Sequence, residues 1–343
     1  MLYFILKSFY TFLLMLTIKD IAKLANVSPT AVSFILNNKA AGNVSLKKQK
    51  IVNDIVRQHG YKQNRTAKAL IMQRTYRIAI CYGGSLEDSL LFGNTSHHLL
   101  INSIASRLHK KDYGVDMIET DPRSSLNALT ERLLGHQADG FLFINYASDI
   151  IEKIAFLLTR NKVPVISAGT AIPSGETDWI AVEREKSFER ILLFAMEKGI
   201  FRLGFLDTDM GKTYSAMKQR VFERIMKQKG LDCSAVEIIK IFDIKAIAET
   251  VTDFISRYPG LEGIVITDNG LAPIIQMIVA ERPIKLFGFG DDVFVSLCNP
   301  PVPYMKLPMQ RLAQIAVEHI LSKIELQSAC APLKIFIPCE LIL

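Results

Sequence analysis

The chain of 343 residues lacks the residue spacings by which most metalloproteins and hydrolases show themselves. No two of its five cysteines, Cys81, Cys233, Cys298, Cys330 and Cys339, stand at CxxC spacing, and its six histidines form no HExxH pair. An odd, scattered set of thiols excludes a disulfide framework and a zinc ribbon, and fits reduced cysteines in a cytoplasmic protein with no metal. The adjacent His97 and His98 point to different faces of any helix and read as structural. No GxSxG elbow is present, which removes the usual serine-nucleophile signature. Long apolar runs are scarce too. Residues 1–16, MLYFILKSFYTFLLML, come nearest, but Lys7 interrupts them, and about twenty apolar residues are needed to span a bilayer. The stretch has no basic leading region and no small-residue cleavage site, so it makes a poor export signal. The expectation is a translational start at Met15, with 1–14 a mis-assigned extension, and no membrane partner.

Acidic residues are missing from one place. Between Thr17 and Thr75 there are eleven lysines and arginines, opposed by Asp20 and Asp54 alone, so the segment carries +9. The whole chain carries +7 and Lys7 adds one positive charge, which leaves −3 for 76–343. A local excess of this size suits phosphate neutralisation and counterion release on a nucleic acid.

The same segment has a regular pattern. Ile18, Ile21, Ala22 and Leu24/Ala25 recur at helical spacing after a capping Thr17. A turn at Ala25-Asn26-Val27 follows. Ser28 then caps a second helix with Pro29 at its first position, where a missing N–H costs nothing. Ala31, Val32, Ile35 and Leu36 form the inner face of that helix, leaving Ser28, Pro29, Thr30, Ser33, Phe34 and Asn37 outside. Small hydroxyl, amide and apolar groups on an outward helix face suit phosphates and base edges in a major groove. A third helix opens at Val44-Ser45, with Ile51, Val52, Ile55 and Val56 inward, and closes at Gly60-Tyr61; QNRTAKALIMQRT, a basic amphipathic piece, follows at 63–75.

From Tyr76 onward strand-like and helix-like segments alternate. Apolar runs at 77–82, 115–119, 140–145, 163–168, 203–207, 236–240, 263–267, 285–289 and 302–306 predict strands buried on both faces. Amphipathic stretches at 99–111, 126–136, 150–160, 187–198, 215–229 and 246–257 predict the helices between them. Such alternation implies parallel sheets wrapped by helices. Ligands of these sheets bind beyond the carboxyl ends of the strands, which singles out the loops 83–89, 145–148, 169–171, 207–215, 268–271 and 290–292. GFLDTDMGKTY at 204–214 looks like a phosphate loop, but the glycine such a loop needs five residues before Gly211 is Leu206. A helix start there still suits an anion, with Lys212 adding a full charge.

The headpiece pattern, with VS, GY and N-R-x-A-x-x-L at their spacings, resembles the LacI/GalR family of bacterial transcription regulators. The resemblance implies an α/β protein with an N-terminal three-helix helix-turn-helix headpiece at 15–62, a hinge helix at 63–75, and a two-lobed, periplasmic-binding-protein-like core at 76–343. Lobe 1 would take about 76–170 plus 307–326, and lobe 2 about 171–303 plus the C-terminal segment. It implies that Pro29, Thr30 and Phe34 enter the major groove. Thr17, Ser28, Ser33, Asn37, Ser45, Tyr61, Asn64 and Arg65 would contact or support the backbone, and Leu70 would wedge into the minor groove. Many members carry an arginine where this chain has Phe34; a phenylalanine makes only apolar contact, for example with a thymine methyl, so the departure bears on which operator is read and not on DNA binding. The resemblance also implies a homodimer, double-stranded operator DNA as partner, no cofactor and no catalysis. A small-molecule effector, a sugar or sugar phosphate, would bind between the lobes. Lys218 stands where family sugar binders carry an arginine. Asp268-Asn269 reverses a frequent Asn-Asp pair, Asp291 follows the position of a frequent aspartate, and Lys212 and Lys218 suit a phosphorylated sugar or another anion. The alternatives are a solute-binding protein of the same core fold, which the basic headpiece opposes, and a sugar or nucleotide enzyme, for which no convincing catalytic set exists.

Overall fold

The computed structural model describes residues 16–36, 40–41, 43–61, 74–84, 95–120, 125–173, 176–208, 212–239, 244–326 and 332–343. Asn37, Asn64, Arg65, Leu70, the extension 1–14 and all but the end of the 63–75 hinge segment lie outside the described residues. The chain divides into two compact units, Met1–Thr75 and Tyr76–Leu343.

Three helices make up the described part of the first unit: α1 (Ile18–Leu24), α2 (Pro29–Leu36) and α3 (Leu46–Gln58). Thr17 starts α1 through a capping box: its hydroxyl accepts from the Asp20 amide at 3.3 Å, and the Asp20 carboxylate accepts from the Thr17 amide at 2.9 Å. The Thr17 hydroxyl, which donates to the Asp20 carboxylate at 2.6 Å, and then the Thr17 amide hold that carboxyl below its ordinary range. Asn26 makes the turn in the left-handed region (φ 49°), which asparagine tolerates well. Ser28 caps α2 by accepting from the Ala31 amide at 3.1 Å. Ser45 occupies the N-cap of α3 with extended backbone, but its hydroxyl makes no capping bond, contrary to the sequence expectation. Ile21, Ala22, Ala25, Val32, Ile35, Ala40 and Val52 form the core. Of the alternatives Leu24 and Ala25, Ala25 is the buried one; Val52 is buried as expected, while Ile51, also expected inside, is exposed, because three short helices close over one narrow stripe.

The second unit holds two six-stranded sheets. Its elements are β1 (Arg77–Gly83), α4 (Thr95–His109), β2 (Gly114–Thr120), α5 (Leu126–Leu134), β3 (Gly140–Ile144), α6 (Ser148–Arg160), β4 (Val165–Gly169), β5 (Asp178–Val182), α7 (Arg184–Glu197), β6 (Leu203–Thr208), α8 (Lys212–Gln228), β7 (Val236–Ile239), α9 (Ile244–Arg257), β8 (Gly263–Ile266), α10 (Ala272–Val279), β9 (Lys285–Gly290), β10 (Tyr304–Lys306), α11 (Met309–Leu326), β11 (Lys334–Ile337) and β12 (Glu340–Ile342). The strand orders are β11-β5-β4-β3-β1-β2 and β12-β10-β9-β8-β6-β7. All pairs are parallel except β10 with β12. Strand alternation sorts the core. Ile78, Ile80 and Tyr82 of β1 face α4 and α11, while Ala79 and Cys81 face α5 and α6. Phe205, Val265 and Phe287 in the second sheet belong to the same apolar cluster as β1, which therefore runs through both lobes.

The lobe boundary differs from the expectation at 171. Strand β5, absent from the predicted strands, joins the first sheet, and the chain crosses after Val182. What holds β5 there is non-local: Asp178 accepts from the Leu333 amide and pairs with Lys323 at 2.9 Å, and the Trp179 amide donates to the Leu333 carbonyl at 2.8 Å. The C-terminal segment is shared, β11 with the first sheet and β12 with the second. Helix α11 packs on α4, β4 and β5 of the first lobe. The chain thus passes between lobes three times, near 183, 307 and 338. The passages near 183 and 338 are tied together: the Glu183 amide donates to Ile337 O at 2.9 Å, and the Ser187 hydroxyl accepts from the Cys339 amide at 3.3 Å. Among the described residues no helix is long and apolar enough to cross a membrane.

Candidate functional site

In both sheets the strand order reverses once, between β1 and β3 and between β6 and β8. At such switch points the loops leave a sheet in opposite directions and open a crevice at the carboxyl ends. The two crevices share one cavity of about 60 Å³, room for a few waters. Asn145, at the end of β3, lines it from the first lobe; Thr267 and Asp268, at the end of β8, line it from the second. Asn145 adopts φ 62° and its side-chain amide donates to Gly83 O at 2.7 Å. A side chain at Gly83 would strike the Asn145 carbonyl at 2.3 Å, so the strand ends approach this closely only with glycine.

The rest of the lining comes from helix starts and strand ends: Thr95, Ser96 and His97 of α4, Arg184 of α7, Met217 and Lys218 of α8, then Phe289, Gly290, Asp291 and Leu307. Lys218 is 6 % exposed and donates to the Asp207 carboxylate at the end of β6, itself 1 % exposed. Thr267 donates to the same carboxylate. Burial pushes the Lys218 ammonium down from its ordinary value, and Asp207 opposes that shift. Asp291 accepts from the Thr95 hydroxyl, a contact across the cleft, and from the Val293 amide at 3.0 Å. His97 is held neutral, its pKa pushed down to about 3 by burial and by the Arg184 and His98 charges. Its Nδ1 lies 3.3 Å from the Tyr82 hydroxyl.

Asp268 is the least settled group. One oxygen accepts from the Gly270 amide at 2.9 Å; the other is buried with no hydrogen-bond partner among the described residues. Burial first, then the neighbouring Asp291 and Asp207, raise its carboxyl to about 6. An acid raised in the fold contributes stability that is fully present below its ordinary 3.8 and lost as pH rises through about 6. Ionised Asp268 therefore costs the fold on the order of 3 kcal/mol at neutral pH. Asp268→Asn is expected to be more stable than wild type at pH 7.5, with the gap closing between pH 6 and 4. Urea unfolding at four pH values measures this; a gap that is absent or independent of pH contradicts it.

Of the effector residues expected from the sequence, Lys218, Asp268 and Asp291 meet at the cavity. Asn269 is buried behind it, donating to the Asp291 carbonyl at 2.6 Å rather than lining it. Lys212 opens α8, and its side chain lies outside the described atoms. Sequence reasoning missed Thr95, His97 and Arg184 because it sought the site only in loops after strands, and Arg184 follows the strand that went unrecognised. Asp207 lay in a loop flagged as a candidate, without its partner. Among the described residues no His/Cys/Asp/Glu cluster suits a metal ion.

The first unit carries the other set. Ser28, Pro29, Thr30 and Phe34 are exposed on α2, Ser33 and Tyr61 are half-buried, and Ser45 is exposed at the start of α3. The Thr17 hydroxyl is committed to Asp20. No acid lies on α2.

Residues 17–64 match the profile of bacterial regulatory proteins of the lacI family. The ribose operon repressor of Escherichia coli (strain K12) is 20% identical over 320 residues, covering 90% of this chain and 93% of the relative. The HTH-type transcriptional regulator MalR of Streptococcus pneumoniae serotype 4 is 23% identical over 316 residues, covering 89% and 92%. Among solved structures, the lac repressor dimer bound to operator and the anti-inducer ONPF aligns with a TM-score of 0.75 at 16% identity, over 96% of this chain and 98% of that one. The complex of the transcriptional regulator CelR with cellobiose aligns with a TM-score of 0.64 at 15% identity, over 96% and 98%. The headpiece of this chain, residues 17–64, is thus that of the lacI family of bacterial regulatory proteins, and the chain as a whole is similar to repressors along nearly its full length and shares their two-lobed fold.

Proposed function

We propose that this protein is a sequence-specific, DNA-binding transcriptional repressor of the cytoplasm, working as a homodimer, whose hold on operator DNA is set by a small polar effector bound between the core lobes. The observation that carries the reading is the pairing of two features in one chain. The +9 segment presents an acid-free helix face of Ser28, Pro29, Thr30 and Phe34. The core places a buried, charged cavity where two switch points meet. The first suits a major groove, with phosphates giving affinity and α2 giving sequence preference. The second suits a hydroxyl-rich ligand, since buried carboxylates and cations reward donors and acceptors placed against them. The relatives named above are transcription regulators, and we assign no catalytic step to the cavity.

The coupling follows from geometry. Thr95 bonds Asp291 across the cleft. A ligand that takes over Asp291 exchanges that contact for its own and changes how the lobes close about the passages at 183, 307 and 338. It shifts operator affinity only by the difference in its affinity for the two closures.

Fluorescence anisotropy of the protein on its own upstream DNA, against scrambled DNA at physiological salt, tests the DNA half. A preference of about 10³-fold or more is expected. Phe34→Ala is expected to cut that preference about tenfold with the salt slope unchanged, because an apolar base contact neutralises no phosphate. Equal affinity for both DNAs, with and without small molecules, contradicts the reading.

A further inference from the structure

We infer that the effector carries a protonated amine among its hydroxyls, as an amino sugar does, and that Asp268 is the seat of that ammonium group; the inference rests on reading the cavity as the effector site. Three observations lead to it. The first is the free oxygen. Asp268 lines the cavity and is 7 % exposed; one of its oxygens is fixed by the Gly270 amide, and the other is buried without a partner among the described residues. A buried acceptor left unmade costs the full desolvation of the group, so a ligand donor placed there recovers that cost.

The second is the balance of charge. The charged groups at and directly behind the cavity wall, among the described residues, are Asp207, Asp268 and Asp291 against Lys218 and Arg184. Lys218 is spent on Asp207. Thr95 and Val293 satisfy Asp291 with neutral donors, which leave its charge in place. His97 adds none, since burial keeps it neutral. Three carboxylates against two cations leave one negative charge over.

The third is the effect of that excess on Asp268. The Asp291 and Asp207 charges push its carboxyl in the same direction as burial does. A monocation on the free oxygen removes both penalties, for it supplies the missing donor and the missing charge. A neutral polyol supplies the donor alone. A phosphate or carboxylate brings further negative charge against three carboxylates, so the sugar-phosphate option raised by Lys212 and Lys218 loses its main support once Lys218 is seen paired.

Matched probes test the inference. The full-length protein is screened by thermal shift at pH 7.5 with glucose, galactose and mannose, their 2-amino derivatives and their 6-phosphates. Pairs that bind are then measured by calorimetry. At least one amino sugar is expected to bind about tenfold tighter than its parent, the margin between a charge-assisted and a neutral hydrogen bond. No phosphate should exceed its parent. Asp268→Asn keeps an oxygen for the Gly270 amide and should bring amine and parent to parity. Asp292→Asn, whose residue pairs with Lys306 away from the cavity lining, should keep the preference. A phosphate or a parent sugar as the tightest ligand, no shift with any amino sugar, or a preference that survives Asp268→Asn overturns the inference. Operator anisotropy separates the two readings. A protein that binds its operator but prefers neutral or anionic ligands remains a regulator and loses only the amine. One that ignores operator DNA loses the regulator reading whatever it binds.

Discussion

Replacing Lys218 with alanine is expected to destabilise the core by about 3–5 kcal/mol, the cost of leaving one member of a buried ion pair alone. Asp207 is 1 % exposed, and the Lys218 ammonium is the cation bonded to it. The Thr267 hydroxyl remains but carries no charge. Urea unfolding at pH 7.5, followed by the fluorescence of Trp179, the single tryptophan, measures the loss. Two further readings identify its cause. Lowering the pH should shrink the deficit, because protonation removes a buried negative charge that has lost the Lys218 ammonium. The double variant Asp207→Asn/Lys218→Met should recover most of the stability, because the buried charge leaves with its partner. A loss under about 1 kcal/mol, or a double variant no better than the single, would show that the pair is not what holds α8 to the end of β6.

Ile21→Ala is expected to abolish specific operator binding, by more than about a hundredfold, while leaving the core untouched. Ile21 is fully buried in a headpiece core of seven side chains. Truncating a buried isoleucine costs about 2–5 kcal/mol, and a unit this small has no more than a few kcal/mol in reserve. α1 and α2 lose their common packing and α2 no longer presents Thr30 and Phe34 as a rigid face. The separate division of the chain at Thr75 implies that the Trp179 transition and ligand binding are unchanged. Anisotropy on operator DNA, beside urea unfolding of the core, checks both halves. Operator affinity within threefold of wild type would mean that the headpiece draws its stability from elsewhere.

These two sites differ in how readily the sequence disclosed them. The headpiece was legible almost residue by residue. Thr17, Asn26, Ser28 and Pro29 each act within four residues of their own position, and the helices they punctuate are short enough for periodicity to place the inner face to within one residue. The exception, Ile51, sits at the margin of a narrow stripe. The nine strands and six helices expected in the core also form, since an apolar run buried on both faces declares itself locally. Three strands escaped, β5, β11 and β12; β5 begins with an aspartate whose charge made it look unlike a buried strand. Its carboxylate is answered by Lys323 and the Leu333 amide, some 150 residues away.

The sequence by itself determined that this is a basic three-helix headpiece joined to a parallel α/β core, and it marked the strand ends where a ligand would bind. Caps, turns and the two hydrophobic periods are written in windows shorter than about twenty residues, so they can be read without the fold. Only the tertiary structure decided where the lobes exchange strands. It also decided that Lys218 pairs with Asp207, that Arg184, Thr95 and His97 line the cavity, and that one oxygen of Asp268 stays unpaired among the described residues. Those facts are differences of charge and hydrogen bonding among groups far apart in the chain, and no local pattern records which of them meet.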